Sequence, residues 1–156
     1  MRKTNKGFTL VELVVVIAII GVLAAILVPS MLTYVKKARL KTANGNAKTA
    51  YNAAAEYVAD AQIQGTSLSN INPVSGQAKS YTSDSGIGGT IAEVLVENDG
   101  EAGYFVFGKT TIAGKPSFFV QWSKGGANDE VWGQYPNPIQ WKAAKAGLGA
   151  MGTYKT

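Results

Sequence analysis

Of the side chains able to do chemistry, the one in the least ordinary place is Glu12. It lies inside Phe8 to Val28 (FTLVELVVVIAIIGVLAAILV), a run that is otherwise apolar but for Thr9. A carboxylate well inside a bilayer costs about 2.5–3.5 kcal/mol on insertion scales and less near an interface, so a retained one points to a function. A counter-charge is within reach. If the chain is cut between Gly7 and Phe8, the freed α-amine opens the helix and Glu12 lies one turn on with opposite sign. The chemistry is charge pairing, not bond-making.

Bond-making has little to draw on elsewhere. The chain has no histidine and no cysteine, which removes the usual general base, thiolate metal sites and any disulfide framework. There is no nucleophile-elbow pattern and no Ser-x-x-Lys. Catalysis is not expected, and no cofactor is implied. Gly103 to Thr110 (GYFVFGKT) fits the Walker A expression letter for letter, yet its intervening residues are aromatic or β-branched and Pro116 follows soon. A phosphate loop must curl and lead into a helix, so this is a strand. Two oxygen-rich clusters, Asn98-Asp99-Gly100-Glu101 and Asn128-Asp129-Glu130, supply the weak calcium candidates Asp99, Glu101, Asp129 and Glu130. Solvated turns are the plainer reading, and no metal is assigned. Tyr34, Tyr51 and Tyr57 read as packing residues with one wet edge rather than as an aromatic pathway from Phe8.

These residues must be positioned by few elements. As a helix, Phe8 to Val28 is about 31 Å long, enough to cross a membrane. A short basic stretch, Met1 to Gly7, precedes it, but Lys36, Lys37, Arg39 and Lys41 follow, so charge bias alone does not fix orientation. Ala18, Gly21 and Ala25 are spaced as small residues that let helices approach. Pro29 predicts a kink if the helix continues. It does continue, because Leu32, Val35, Ala43, Ala47, Ala50, Tyr51, Ala54, Val58 and Ala61 return at helical spacing, with Asn44, Lys48, Asn52, Glu56 and Asp60 largely between them. Gly45 weakens this stretch by about 1 kcal/mol relative to alanine, and Gly65 is a credible end, giving a helix of about fifty-five residues.

Beyond it, Gly65 to Gly89 reads as an extended surface connection. Thr90-Ile91-Ala92-Glu93 fits a capping box, predicting a short helix stopped at Asn98-Asp99-Gly100; a strand turning at Asp99-Gly100 is the alternative. Gly103 to Thr111 and Pro116 to Ser123 form an antiparallel hairpin, with Val131 to Tyr135 as a third strand. Lys142 to Thr156 is expected to be a loosely held tail. The fold class is α+β: a long N-terminal helix packed by its C-terminal half on a small antiparallel sheet of about three strands.

At 156 residues there is room for one anchor helix and one small domain. Of the 15 basic residues, Arg2, Lys3 and Lys6 precede Phe8, so the formal +5 falls to +2 without them. From Thr66 onward seven basic residues balance seven acidic ones. No electrostatic footprint for nucleic acid is present.

Gly7-Phe8-Thr9-Leu10-Val11-Glu12 resembles the class III signal of type IV pilins and their pseudopilin relatives, and the resemblance covers Met1 to about Gln62. It implies cleavage after Gly7 by a prepilin peptidase and N-methylation of Phe8. The apolar helix would then stay as membrane anchor and filament core, and Glu12 would pair with the Phe8 amine of a neighbouring subunit. Gly21 and Pro29 stand where family members carry helix-breaking residues. The implied partners are other copies of the chain in a helical filament, the membrane, and the pilus or secretion assembly machinery. The implied location is the cell membrane before assembly and an extracellular or envelope-spanning filament after it. The implied division is a leader at 1–7, a transmembrane and filament-core helix at 8–29, an amphipathic helix at 30–64, a head at 65–141 and a tail at 142–156. Many pilins close the C-terminal region with a disulfide. This chain must use packing, an assembly contact or an ion, and major pseudopilins use calcium in that loop. The alternatives are a major pseudopilin of a type II secretion system and, lower, an uncut membrane-tethered binding module. An ordinary signal peptide cut before Met31 is opposed by the length of the run and by Glu12.

Overall fold

Helix α1 runs from Leu10 to Ile63, 54 residues without interruption, in line with the length the periodicity predicts. The computed structural model describes residues 7–82, 85–99 and 103–156, four of them (98, 99, 145 and 146) by backbone alone. The chain falls into two compact units, Met1–Lys36 and Lys37–Thr156.

In the first unit, α1 is long and apolar enough to cross a membrane, and its large side chains, from Leu10 through Leu32, are exposed. The helix passes through Gly21 and Pro29. Next to the proline, Ser30 Oγ donates to the Leu27 carbonyl (2.8 Å) and Thr33 Oγ1 to the Pro29 carbonyl (3.3 Å), which occupies carbonyls in the turn the proline disturbs. A Cβ added at Gly21 would meet nothing within 4 Å, so nothing in the chain itself requires glycine there.

In the second unit, α1 buries a stripe of small residues, Ala43, Ala47, Ala50 and Ala54, followed by Val58. Small side chains on that face let a sheet come close. At Gly133 the approach is closest: a Cβ there would fall on the backbone of Ala43 and Asn44. Helix α1 ends in a Schellman turn. Gly65 is left-handed (φ 86°), its N–H bonding the Gln62 carbonyl (3.0 Å) and that of Thr66 the Ala61 carbonyl (2.8 Å).

The sheet is antiparallel, in the order β1 (Val74–Gln77), β2 (Tyr104–Ile112), β3 (Lys115–Ser123), β4 (Trp132–Tyr135). β2 and β3 are joined by a two-residue turn, Ala113-Gly114, with φ of 50° and 76°, the double positive φ of a tight hairpin. Phe105, Phe107, Phe118, Val120 and Trp122 pack on the α1 stripe together with Ile87, Ile91 and Leu95 of helix α2 (Ile87–Asp99). A second cluster gathers Leu40, Trp132, Ile139 and Leu148, beside helix α3 (Trp141–Ala146).

The sequence reading is corrected at three points. Gly65 to Gly89 is not merely an extended surface connection, and the sheet has four strands, not about three, because β1 lies in that segment. Val-Ser-Gly-Gln has little strand propensity; it becomes a strand because β2 offers it an open edge, pairing Val74 with Phe107 through Gln77 with Tyr104. The Tyr81 ring folds back over Gly76, its hydroxyl donating to the Ser75 carbonyl (2.8 Å). The second point is Thr90, which does not cap a helix. α2 begins at Ile87, and the Thr90 hydroxyl instead donates to the Gly86 carbonyl (3.4 Å) within the first turn. A Cβ at Gly88 would lie 2.6 Å from the Tyr81 ring, so a residue that weakens helices locally is required there by packing.

The third point is the tail, which is held rather than loose. Gln121 and Gln134 are cross-strand partners on the sheet face away from α1, both fully buried. Gln121 Nε2 donates to Gln134 Oε1 (3.0 Å) and the Thr153 carbonyl (2.7 Å), and its Oε1 accepts from Gly152 N–H (2.7 Å). Gln134 accepts from Lys155 N–H (2.9 Å) and donates to the Lys155 carbonyl (2.7 Å). Tyr154 packs against Phe119, and Trp132 Nε1 donates to the Gly149 carbonyl (3.0 Å). The segment is fastened by packing and amides in a chain without cysteine.

Candidate assembly site

The start of α1 is built by Thr9 and Glu12. Thr9 N–H donates to Glu12 Oε2 (2.8 Å), the Thr9 hydroxyl donates to the same oxygen (2.6 Å), and Glu12 N–H points back at Thr9 Oγ1 (3.3 Å). This is a reciprocal capping box with Thr9 as N-cap and Glu12 three residues inside. It satisfies amides that an α-helix leaves open at its start and sets a negative charge where the helix dipole favours one. The Thr-x-x-Glu pattern predicted to act at Thr90–Glu93 therefore operates at Thr9–Glu12 instead. The same signal, read a little earlier in the chain, finds it.

Both bonds fall on Oε2. Among the described residues nothing donates to Oε1, and an ionised carboxylate has further lone pairs to offer. Gly7 is an exposed, non-helical residue, and Phe8 is 87% exposed. The site thus presents an accessible peptide bond, an apolar first residue and a carboxylate with one oxygen free, all within the first turn of an exposed apolar helix.

The other candidates are not brought into a site. Asp129 is a loop tie, accepting from Gly125 N–H (2.8 Å) and Val131 N–H (3.3 Å), while Glu130 is exposed. The Asp99 side chain and all of Glu101 lie outside the described residues. Among the described residues no group of three or more metal-ligating side chains occurs. Gly103 to Thr110 lies on β2, with Phe105 and Phe107 buried and Gly108 against the Phe119 ring, so there is no phosphate loop. Tyr51 stacks on Phe118 (centroids 4.6 Å apart) and meets Tyr135 edge-on (4.9 Å), a packing role.

The fold and the N-terminus define a class: a small α+β head on a helix whose first half is apolar, exposed and of membrane length. Comparison with known proteins gives the particular family. Residues 2–28 match the prokaryotic N-terminal methylation motif. The type IV major fimbrial protein FimA of Dichelobacter nodosus is 31% identical over 134 residues, which is 80% of this chain and 84% of that protein. The type IV major pilin protein PilE of Neisseria gonorrhoeae is 35% identical over 99 residues, 63% of this chain and 54% of that one. The fimbrial protein EcpC of Eikenella corrodens is 43% identical over 60 residues, 38% of this chain, and the match spans only 39% of EcpC's own length. No solved structure matches the chain. The chain belongs to the type IV pilin family.

Proposed function

We propose that the chain is the structural subunit of a type IV pilus-like filament. On this reading, residues 1–7 are a leader removed by a prepilin peptidase, Phe8 is N-methylated, residues 8–29 anchor the subunit in the cell membrane, and polymerisation by an assembly machine carries the helix from lipid into the filament core. The head starts in the amphipathic half of α1 and includes the segment from 142 to 156. No enzymatic step is assigned to it.

One observation carries the reading: the Glu12 carboxylate, at the first turn of a membrane-length helix, keeps an oxygen with no partner among the described residues. Cutting after Gly7 turns the Phe8 nitrogen from an amide into an ammonium, and the ammonium of a neighbouring subunit is a fitting donor. Because lipid tails are as apolar as leucine, the gain on assembly comes from close helix packing and from the charge pair, not from hydrophobic transfer. Ala18, Gly21 and Ala25 suit that packing, and Gly21 with Pro29 marks where α1 would break to accommodate it.

Intact mass of the membrane-extracted protein tests the processing. A species beginning at N-methylated Phe8 supports the proposal, and one beginning at Met1 or Met31 refutes it. Sheared surface filaments containing the chain support a pilus. Loss of secreted enzymes on deletion, with no such filaments, would assign the chain to a secretion system instead.

A further inference from the structure

We propose that the outward ridge of α1 in the head is a docking face for a second, parallel copy of this chain, offset along the helix so that the basic part of one ridge lies on the acidic part of the other. This rests on the filament reading above and adds to it the contact made by the heads. On the side of α1 away from the alanine stripe, Lys37, Lys41, Gly45, Lys48, Asn52, Glu56 and Asp60 succeed one another at three- and four-residue steps, and all are exposed. The order is cations first, acids last.

Three features of this ridge have no explanation inside the chain. Lys37 with Lys41, and Glu56 with Asp60, are like charges four residues apart, an arrangement that weakens a helix. The sequence of signs also opposes the helix dipole, which favours acids at the start and cations in the last turn; the last turn holds no basic residue. Finally, Gly45 sits in the middle of an exposed helical ridge, where a Cβ would meet nothing within 4 Å. Nothing in the subunit requires it, and its lack of a side chain suits close approach by another helix.

The charges are also left unneutralised within the subunit. Among the described residues Lys41, Glu56 and Asp60 make no ion pair or hydrogen bond. Lys37 and Lys48 are held over the Trp141 and Tyr135 rings (5.6 and 5.8 Å to the centroids), which positions them while keeping their charge. Copies inserted by the same helix run parallel, so ridges in register would set like charge on like. An offset of about 24 Å, the rise of sixteen helical residues, sets the cations of one on the acids of the next.

The test uses the full chain as sole major subunit in a pilus-forming host, reading sheared filaments against the membrane-fraction level. Glu56→Lys with Asp60→Lys, and separately Lys41→Glu with Lys48→Glu, are expected to lower filament yield about tenfold or more, given several pairs lost together. All four changes combined exchange the signs and are expected to restore yield. Wild-type filaments should also loosen in molar salt, where screening acts over about 3 Å. The Glu56→Lys, Asp60→Lys variant places cations where the dipole favours them, so its loss of filaments cannot be laid to a weakened helix. Glu56→Gln with Asp60→Asn gives a second, neutral reading, expected to fall between wild type and reversal. Unchanged yield in both reversals, or no restoration in the fourfold exchange, overturns the contact while leaving the filament reading intact. Loss on lysine reversal alone would point to an anionic surface and also overturns it. Absence of wild-type filaments overturns the filament reading, and the contact with it.

Discussion

Asn44 and Ile139 bond each other as two strand residues would, although one is a side chain on a helix. Asn44 Oδ1 accepts from Ile139 N–H (3.0 Å), and Asn44 Nδ2 donates to the Ile139 carbonyl (2.9 Å). The same Oδ1 accepts from Gln134 N–H (3.1 Å), so one amide closes the β4 edge of the sheet and fixes the chain that follows. Asn44 sits one position from Ala43, whose backbone Gly133 touches. The closest approach of sheet to helix and the polar tie between them are therefore the same place.

Replacing Asn44 by leucine should leave partly buried backbone groups of Gln134 and Ile139 without partners, at a cost of about 1–3 kcal/mol for such a loss. Asn44→Asp keeps the acceptor and should cost less. Urea denaturation of the detergent-solubilised chain, followed by tryptophan fluorescence, measures both. Equal midpoints for wild type and leucine variant would show that water replaces these bonds.

Gly133→Ala should be among the most damaging single changes, because its Cβ meets backbone rather than a movable side chain. Overpacking of this kind costs about 1–3 kcal/mol or more. A thermal midpoint within a degree of wild type would mean that β4 can slide away from α1.

Gln121→Leu should release the last residues while leaving the sheet folded, since the Thr153 carbonyl and Gly152 N–H lose their partners. Faster hydrogen exchange confined to residues from about 149 onward is the expected signature. Reductant should change nothing, as the chain has no cysteine. Protection equal to wild type in that segment would show that ring packing by Tyr154 suffices.

Thr9 and Glu12 can be separated. Thr9→Val removes the hydroxyl of the capping box and should cost about 1 kcal/mol of local helix stability, while the carboxylate remains and filaments still form. Glu12→Ala should insert more easily, be cut after Gly7, and accumulate in the membrane without assembling, because an ammonium enclosed among helices without a partner costs several kcal/mol. A membrane-fraction blot beside a count of sheared filaments decides it. If the two variants assemble equally well, register is set by apolar packing.

Stability of the head should fall in strong alkali. Burial, followed by the charges of Tyr135 and Tyr154, pushes the Tyr51 phenol above its ordinary range. A folded-state value raised over the unfolded one gives stability that is full below about pH 10 and is lost as pH rises through the folded value. The urea midpoint should therefore drop from pH 8 to pH 11, and by less in Tyr51→Phe. Equal drops would assign the loss to other groups.

The α1 span, its alanine stripe, the β2–β3 hairpin and the family were legible in the residues alone, because each rests on local regularity: a membrane-length apolar run, a helical period, strand composition around a tight turn. Glu12 was conspicuous for the same reason, as one charge where none belongs. Tertiary structure decided the rest. Val74 to Gln77 is a strand only because β2 has an edge to fill, and Gly88 sits in a helix only because the Tyr81 ring lies across it. Asn44, Gln121 and Gln134 look like surface polar residues until their partners, 13 to 95 positions away, arrive. Their amides have no local preference to betray them. A hydrogen bond between distant segments leaves no periodic trace in a sequence, and only the assembled fold brings donor and acceptor together.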